Sequence, residues 1–269
     1  LLSNYQDNLK QKILFLPKSL SYQRIKEFDN QYFTSIERVK NEFPINDIKG
    51  TIDIYPWDQA YLLANGLDYR PRPLFQSYCV YTPYLIEKNK VFLYSARSPE
   101  NILFSIKEID GRAPFMMEGA TWLDLMKLYD VVDMKGEFLV FKKTKLEKSF
   151  RITEISKKKV SFGESLEVPK EDIVYAKIDM KKSFFGRIVN TLFKSPILYL
   201  EVTLENGATE KYRIVPGIAS SGFILSPNIL NITDFFSFSI GKMDNKKVKS
   251  LKVINESGCC YLNDIEIKF

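Results

Sequence analysis

The chain has 269 residues, of which 45% are hydrophobic and 14% aromatic, so it is long enough for two domains with buried cores. Its formal net charge of +6 is spread along the sequence instead of being gathered in a basic stripe, which argues against nucleic acid as a partner. The absence of histidine excludes serine–histidine and cysteine–histidine catalysis and every imidazole metal site.

The first half of the sequence alternates between helical and extended patterns. Residues 4–43 lack glycine and show helical spacing, and Pro17 and Pro44 divide and end them as two helices, the second about twenty residues long. The pattern then predicts strands at 50–55, 73–78, 101–106 and 137–142, and helices at 57–65, 83–89 and 121–129. Gly66 is expected to cap the helix 57–65. Short strands alternating with helices indicate an α/β layer with a largely parallel sheet.

After about residue 148 the pattern changes to short β-type runs separated by turn dipeptides. The predicted strands are 151–155, 160–162, 174–178, 198–204, 210–215, 222–225, 235–240, 248–254 and 265–269. Asn206-Gly207 is a strong hairpin signal. This half is typical of an antiparallel β-sandwich that resembles a jelly roll. We therefore predict an α+β chain with a helical lead-in plus α/β domain over 1–148 and a β-sandwich domain over 149–269.

The segment 181–194 interrupts these strands with basic and apolar residues at helical spacing. One interpretation is an amphipathic helix that lies on an anionic membrane surface. The other is a helix that crosses the edge of the sandwich and packs against the first domain. We expect the packed arrangement.

The richest side-chain chemistry lies in the stretch 53–84, where aromatic residues, arginines and carboxylates accompany four prolines. Prolines fix φ and reduce the entropy of holding neighbouring groups in place, so the segment is suited to present its side chains rigidly. The candidate ligand-binding residues in this stretch are Asp53, Trp57, Asp58, Arg70, Arg72, Tyr78 and Tyr81.

Each of these candidates also has a structural interpretation. Arg70 and Arg72 are two apart in an Arg-Pro-Arg-Pro segment, so they are expected to project to the same side. There they would clamp a carboxylate or phosphate, or form salt bridges with neighbouring aspartates. Asp58 stands near a helix N-terminus, where a carboxylate caps the helix favourably. The tyrosines would stack on sugar rings, or they would pack at an interface between the two predicted domains.

A polar loop before the helix 121–129 holds two more candidates, Asp110 and Arg112. Such loops bind ligands in α/β domains, although a simple turn explains the composition too. Asp53, Asp58 and Glu118 allow an alternative function, a carboxylate-dependent glycan hydrolase.

The three cysteines, Cys79, Cys259 and Cys260, do not have the spacing of zinc ligands. We expect free thiols, because a bond from Cys79 to the C-terminal pair would join the two predicted domains. The sequence also lacks a glycine-rich phosphate loop. We therefore predict neither a metal site nor a cofactor.

Several motifs resemble a known group of proteins. They are Tyr-Pro-Trp-Asp at 55–58, Leu-Leu-Ala-Asn-Gly-Leu at 62–67, Arg-Pro-Arg-Pro-Leu-Phe-Gln-Ser-Tyr at 70–78, Tyr-Thr-Pro-Tyr-Leu at 81–85, Ile-Asp-Gly-Arg at 109–112, Tyr-Arg-Ile-Val-Pro-Gly at 212–217 and Gly-Phe-Ile-Leu-Ser-Pro at 222–227. This pattern resembles the soluble C-terminal region of bacterial multispanning membrane proteins that are similar to membrane-embedded glycosyltransferases. The resemblance implies a periplasmic-side domain, tethered to the inner membrane through an N-terminal region that precedes this sequence. It carries over no catalytic residues.

These observations together predict a non-catalytic extracytoplasmic domain of an envelope membrane protein. Its expected role is to bind a glycan, a lipid-linked sugar or a sugar phosphate, or to support the transfer of such a sugar elsewhere in the full protein. A purely structural interaction module is a third possibility beside the hydrolase. Two facing carboxylates in a polar pocket would favour the enzyme, whereas a closed, salt-bridged cluster would favour structure.

Overall fold

The computed structural model describes residues 22–146, 148–149, 151–242 and 246–269. The predicted helix before Pro17 lies outside the described residues. The chain forms two compact units, which do not follow the sequence in a simple way. One unit contains the described residues up to Lys49 together with Gln59–Leu67, and the other contains Gly50–Asp58 and Asp68–Phe269.

The described part of the first unit contains two helices, α1 (Tyr22–Glu42) and α2 (Gln59–Ala64). The side chain of Asn65 joins them, because its Nδ2 donates to the carbonyl of Phe43 at 2.9 Å and its Oδ1 accepts from the amide of Ile45 at 2.9 Å. Gly66 follows α2 with φ of +66°, as expected for a helix-terminating glycine. The α1 helix also confirms the predicted helix of about twenty residues before Pro44.

The second unit begins with a four-stranded sheet made of β1 (Ile52–Tyr55), β2 (Asn101–Phe104), β3 (Tyr129–Lys135) and β4 (Phe138–Lys143). The strand order is β1-β2-β4-β3, and β1 and β2 run parallel while the other two pairs run antiparallel. Helices α3 (Pro83–Leu93) and α4 (Gly119–Leu128) lie between these strands in the chain. The prediction of a largely parallel sheet is wrong, because β3 and β4 are joined by a two-residue turn, which can only connect antiparallel strands.

Two further sheets complete the second unit. Their strands are β5 (Lys157–Ser161), β6 (Ser165–Glu167), β7 (Val174–Asp179), β8 (Leu198–Leu204), β9 (Thr209–Ile214), β10 (Phe223–Ser226), β11 (Val248–Ile254) and β12 (Asp264–Lys268). The orders are β10-β7-β12-β5 and β6-β11-β8-β9, with antiparallel neighbours throughout. Three helices, α5 (Phe184–Leu192), α6 (Pro216–Ser221) and α7 (Ile232–Ser239), interrupt the strands.

The mixed α+β class is confirmed by this arrangement, in which the sheets of the described chain are mostly antiparallel. The two-domain layout and the jelly roll are not confirmed. The second unit extends across position 148 without a boundary, and buried side chains from both sides of that position form one hydrophobic cluster. Among the described residues, no helix has the length and apolar character needed to cross a bilayer.

Three of the predicted strands are wrong, and one of them, 151–155, precedes β5 without forming a strand. The segment 235–240, predicted as a strand, lies in α7 up to Ser239, and Asn231 caps this helix by accepting a hydrogen bond from the amide of Asp234 at 2.9 Å. The segment 73–78, also predicted as a strand, forms no strand and ends in the short 3-10 helix Ser77–Cys79. The Asn231 cap is a local contact within the first turn of α7. The cysteines, in contrast, are free thiols as predicted.

Phe235 is the aromatic centre of the core. Its ring lies 4.7 Å from that of Phe104, 5.2 Å from Trp122 and 6.1 Å from Phe141, measured between centroids. These three rings belong to the first sheet and to α4, whereas Phe235 is part of the later helix α7. The contact therefore connects the two halves of the second unit through one buried side chain.

We predict that Phe235→Ala lowers the free energy of unfolding by about 3–5 kcal/mol, because it removes a fully buried ring and leaves a cavity. Phe236→Ala is the matched control on the same helix, since Phe236 is 39% exposed, and it should change stability by less than about 1 kcal/mol. Chemical denaturation followed by tryptophan fluorescence and circular dichroism would measure both. Two separate unfolding transitions, of which Phe235→Ala shifts only one, would contradict the single continuous core.

Candidate functional site

The guanidinium of Arg72 occupies the centre of the candidate region. Its side chain is fully buried, with a relative exposure of 1% for the residue. It donates five hydrogen bonds: to Asp53 Oδ2 at 2.9 Å, to the carbonyl oxygens of Ile54 (2.7 Å), Pro56 (3.0 Å) and Phe75 (3.0 Å), and to Ser77 Oγ at 3.0 Å. Two of these acceptors belong to β1 and one follows it directly, whereas Phe75 and Ser77 belong to the segment after Arg72, so Arg72 fixes the irregular segment 73–77 to the end of the strand.

Glu118 closes the other side of the guanidinium. Its Oε2 lies 3.4 Å from Arg72 Nε and accepts a hydrogen bond from Ser77 Oγ, while its Oε1 accepts from Asn89 Nδ2. Glu118 adopts a left-handed backbone conformation with φ of 54°, directly before α4. We call Asp53, Arg72, Ser77, Asn89 and Glu118 the Arg72 cluster.

Asn89 was missed by the sequence analysis, although the sequence contained a signal for it. It lies on the buried face of α3 with Ile86 and Leu93, at the three- and four-residue spacing of a helix. An amide on an otherwise apolar helix face needs buried partners. It finds them in the backbone of Leu74, which it contacts through both its oxygen, at 2.9 Å, and its nitrogen, at 3.0 Å.

The electrostatics of the Arg72 cluster favour a closed assembly. Two carboxylates surround one guanidinium, whose Cζ also lies 3.5 Å from the ring centroid of Tyr55. Burial raises the pKa of Asp53 above its ordinary value of 3.8, and Arg72 opposes that rise. Burial alone would lower the pKa of Arg72, but Asp53 and Glu118 outweigh it and raise that pKa. The guanidinium therefore stays charged and its hydrogen bonds go to the protein itself.

The two arginines of the Arg-Pro-Arg-Pro segment have different environments. Arg72 is buried, whereas Arg70 is exposed and, in the part of the chain that the structure describes, forms no salt bridge. Its amide donates to the carbonyl of Ile52 at 2.8 Å. The expectation that both side chains project to the same side is wrong, because the alternation of a strand does not extend through this irregular segment.

Asp58 is paired with a lysine instead of an arginine. Its Oδ2 lies 2.9 Å from Lys107 Nζ, which also contacts Glu137 at 2.8 Å. Partial burial would lower the pKa of Lys107, but hydrogen bonds to Glu137 and Asp58 raise it overall. Asp58 and Asp53 thus have separate cationic partners and do not form an isolated carboxylate pair.

A second group of candidate residues forms a partly exposed surface around Arg112, which is itself buried. Arg112 Nη1 donates to the carbonyl of Tyr78 at 3.0 Å, and Nη2 donates to the hydroxyl of Tyr81 at 3.3 Å and to Asp110 Oδ2 at 3.4 Å. Its Cζ lies 4.9 Å from the centroid of the Tyr81 ring. The Trp57 ring packs edge-on against Tyr78 at 5.6 Å. We call Trp57, Tyr78, Tyr81 and Arg112 the tyrosine–arginine surface.

Two residues that the sequence analysis did not select support this surface. Arg213 donates its amide to the carbonyl of Gly111 at 2.7 Å, and its Nη1 lies 3.7 Å from Asp110 Oδ2. Gly217 in α6 packs against the chain at Tyr81, since a Cβ at this position would overlap the carbonyl oxygen of Tyr81. Both come from the second half of the chain, so only the tertiary structure could bring them to the candidate residues.

Metal binding has no support among the residues that the structure describes, since they contain no group of three or more cysteine or carboxylate side chains placed to hold an ion. Comparisons with protein-family models, curated proteins and solved structures gave no match to this chain. The resemblance to envelope membrane proteins therefore remains a prediction.

We predict that Arg72→Met lowers the free energy of unfolding by about 3–5 kcal/mol, because it leaves two buried carboxylates without a counter-charge. The control is Arg70→Ala, two residues away, for which a change within about 0.5 kcal/mol is expected. Urea unfolding at neutral pH measures both. Comparable stability of the Arg72→Met variant and the unsubstituted chain would show that the cluster does not organise the fold.

The raised pKa of Asp53 predicts a distinct dependence of stability on pH. A folded-state pKa above 3.8 means that the folded chain binds this proton more readily than the unfolded chain. The protonation of Asp53 contributes its full stabilisation at pH values below 3.8, and this contribution is lost as the pH rises through the folded-state pKa. Relative to Asp53→Asn, the unsubstituted chain should therefore become more stable as the pH is lowered from neutrality towards 3.8. A relative loss on acidification would instead indicate that pairing with Arg72 lowers this pKa.

Proposed function

We propose that this chain is a non-catalytic binding domain whose tyrosine–arginine surface binds an anionic sugar or sugar phosphate. The observation that carries the proposal is Tyr81, a residue that is 42% exposed while the guanidinium of Arg112 lies against its ring and donates to its hydroxyl. An aromatic face covers the apolar face of a sugar ring, and a rigidly held ring loses little entropy on binding. Trp57 and Tyr78, whose rings pack edge-on against each other, are further aromatic side chains of the tyrosine–arginine surface.

A cation at the edge of the surface supports an anionic ligand. The side chain of Arg213 is 34% exposed, and its contact with Asp110 is long, at 3.7 Å. A long, partly exposed ion pair contributes little free energy, so a ligand carboxylate or phosphate can replace Asp110 as the partner of Arg213. Arg112, by comparison, is buried and serves to position Tyr81.

The state of the carboxylates supports binding over hydrolysis. Asp53 and Glu118, two of the three acids considered for a hydrolase, are buried and share the guanidinium of Arg72. Asp58, the third, is paired with Lys107. A glycosidase requires one protonated and one ionised carboxyl group facing the scissile bond across a space for the sugar. The Arg72 cluster instead holds the segment that leads into Tyr78 and Tyr81.

The cellular setting in our proposal rests on the sequence resemblance. We propose an extracytoplasmic domain of a bacterial envelope membrane protein, with a glycan or lipid-linked sugar as its ligand and with chemistry performed elsewhere in the full protein. The tyrosine–arginine surface is compatible with that role, because a partly exposed surface allows binding and release of a carrier-linked sugar.

The proposal predicts weak, salt-sensitive binding of anionic oligosaccharides and sugar phosphates, and weaker binding of neutral ones. Tyr81→Ala should lower the affinity about tenfold, and Arg213→Gln should remove the preference for anionic ligands. Tyr199→Ala is the matched control, because Tyr199 also carries a cation over its ring, Lys211 at 4.3 Å, but belongs to β8. Isothermal titration calorimetry at two salt concentrations measures these effects.

Equal affinity for neutral and anionic sugars would contradict the ligand class. Affinity that Tyr81→Ala and Tyr199→Ala reduce to the same extent would contradict the position of the site. Turnover of a glycan that is lost on Glu118→Gln, with an unchanged circular dichroism spectrum, would replace the proposal by the hydrolase.

A further inference from the structure

Helix α5 exposes its apolar side chains instead of burying them. Phe184 is 81% exposed, Phe185 62%, Ile188 45% and Leu192 70%, and Phe193 directly after the helix is 72% exposed. At 100° per residue, the four helical positions occupy one continuous arc of about 100°. Among the residues of α5 with described burial, Gly186 is the buried one. The expectation that this helix packs against the first domain is therefore wrong for its apolar side chains, which stay exposed.

The reason is that α5 is attached through its backbone and its one glycine. A Cβ on Gly186 would overlap the carbonyl group of Cys260, so the helix approaches that loop as closely as a glycine allows. The amide of Ser183 donates to the carbonyl of Cys260 at 3.0 Å, and the amide of Leu262 donates to the carbonyl of Lys181 at 2.9 Å. These contacts fix the helix while they leave the apolar arc unused.

The charged residues of the segment that carries the arc have one sign, although Lys181 at its start lies 4.0 Å from Asp179 Oδ2. Between Asp179 and Glu201 the sequence has no acidic residue but has four basic ones, at positions 181, 182, 187 and 194. Three of these, Lys181, Arg187 and Lys194, are exposed. In the sequence they flank or interrupt the exposed aromatic and aliphatic residues of α5. Leu262, which is 48% exposed, adds an apolar residue whose amide binds the carbonyl of Lys181.

We propose that α5 docks this domain onto an anionic lipid surface, lying in the interface without crossing the bilayer. The phenylalanines and leucine of the arc would enter the headgroup–acyl boundary, and the lysines and arginine would contact lipid phosphates. A protein partner would need an acidic, apolar groove of matching shape, whereas an anionic bilayer supplies both chemistries to any helix with this distribution. The charge complementarity therefore favours lipid as the occupant.

The test uses the whole chain and sedimentation with vesicles of phosphatidylcholine, with or without phosphatidylglycerol. The unsubstituted chain should bind the vesicles that contain phosphatidylglycerol and bind phosphatidylcholine weakly. Phe184→Ser/Leu192→Ser should lower the partition coefficient at least about tenfold, since two large apolar side chains no longer enter the interface. Arg187→Gln/Lys194→Gln should lower it about fivefold per charge near the surface, and high salt should do the same.

Two matched variants control for nonspecific effects. Val91→Ser/Val132→Ser removes two apolar side chains that are similarly exposed, on α3 and β3, and should leave vesicle binding unchanged. Lys170→Gln/Lys249→Gln removes two exposed charges elsewhere and should have a much smaller effect than the α5 pair. Thermal unfolding by circular dichroism checks that all variants keep the fold.

Three outcomes would overturn the proposal. The first is a lack of binding to vesicles that contain phosphatidylglycerol, and the second is binding that the α5 and control variants reduce equally. The third is an oligomer, seen by light scattering after size exclusion, that Phe184→Ser/Leu192→Ser converts to monomer without any vesicle binding by the unsubstituted chain. That result would assign the arc to a second copy of the chain.

Discussion

A guanidinium held between two buried carboxylates is the constraint on which much of the second unit depends. Arg72 contacts Asp53 on β1 and Glu118 before α4. It also donates a hydrogen bond to the carbonyl of Phe75 and so holds the backbone of the segment that follows it. An irregular segment has no ladder partners, so its buried polar groups need side-chain partners. One arginine with five donors meets that need better than any other residue type.

The cluster explains how a partly exposed surface can be rigid. Asn89 and Ser77 connect Glu118 to the segment that carries the tyrosines, and the segment is thereby held to α3 and α4. The cost of burying three ionised groups is offset only when each finds close partners, and such assemblies specify one geometry more than they add stability. Residues that resemble a catalytic dyad in the sequence thus serve, in our interpretation, to position the side chains beside them.

The described molecule separates two kinds of surface. The tyrosine–arginine surface combines rings with polar groups that are already paired, which suits a polar ligand of defined shape. Helix α5 combines exposed rings with one arginine, lacks acidic residues and is flanked by lysines, which suits an extended anionic surface without a fixed shape. If both proposals hold, α5 would hold the domain close to the membrane in which a lipid-linked ligand resides.

The sequence by itself determined the features that depend on local chemistry. Periodicity located the strand Leu198–Leu204 and the amphipathic helix Phe184–Leu192, Asn206-Gly207 produced the hairpin between β8 and β9, and Gly66 ended α2. The absence of histidine likewise limited the possible chemistry without any structure. Each of these signals acts within a few residues along the chain, so the order of residues is sufficient to reveal it.

Tertiary structure alone decided which residues meet. The sequence could not show that Arg72 rather than Arg70 is buried, because the difference arises where the segment leaves its regular geometry to reach Glu118. Nor could it show that Phe235 enters the core from a helix, or that residues on both sides of position 148 share that core. Long-range packing of side chains determined these contacts. It overrode local β-propensity where burying a ring or pairing a charge stabilised another conformation more strongly.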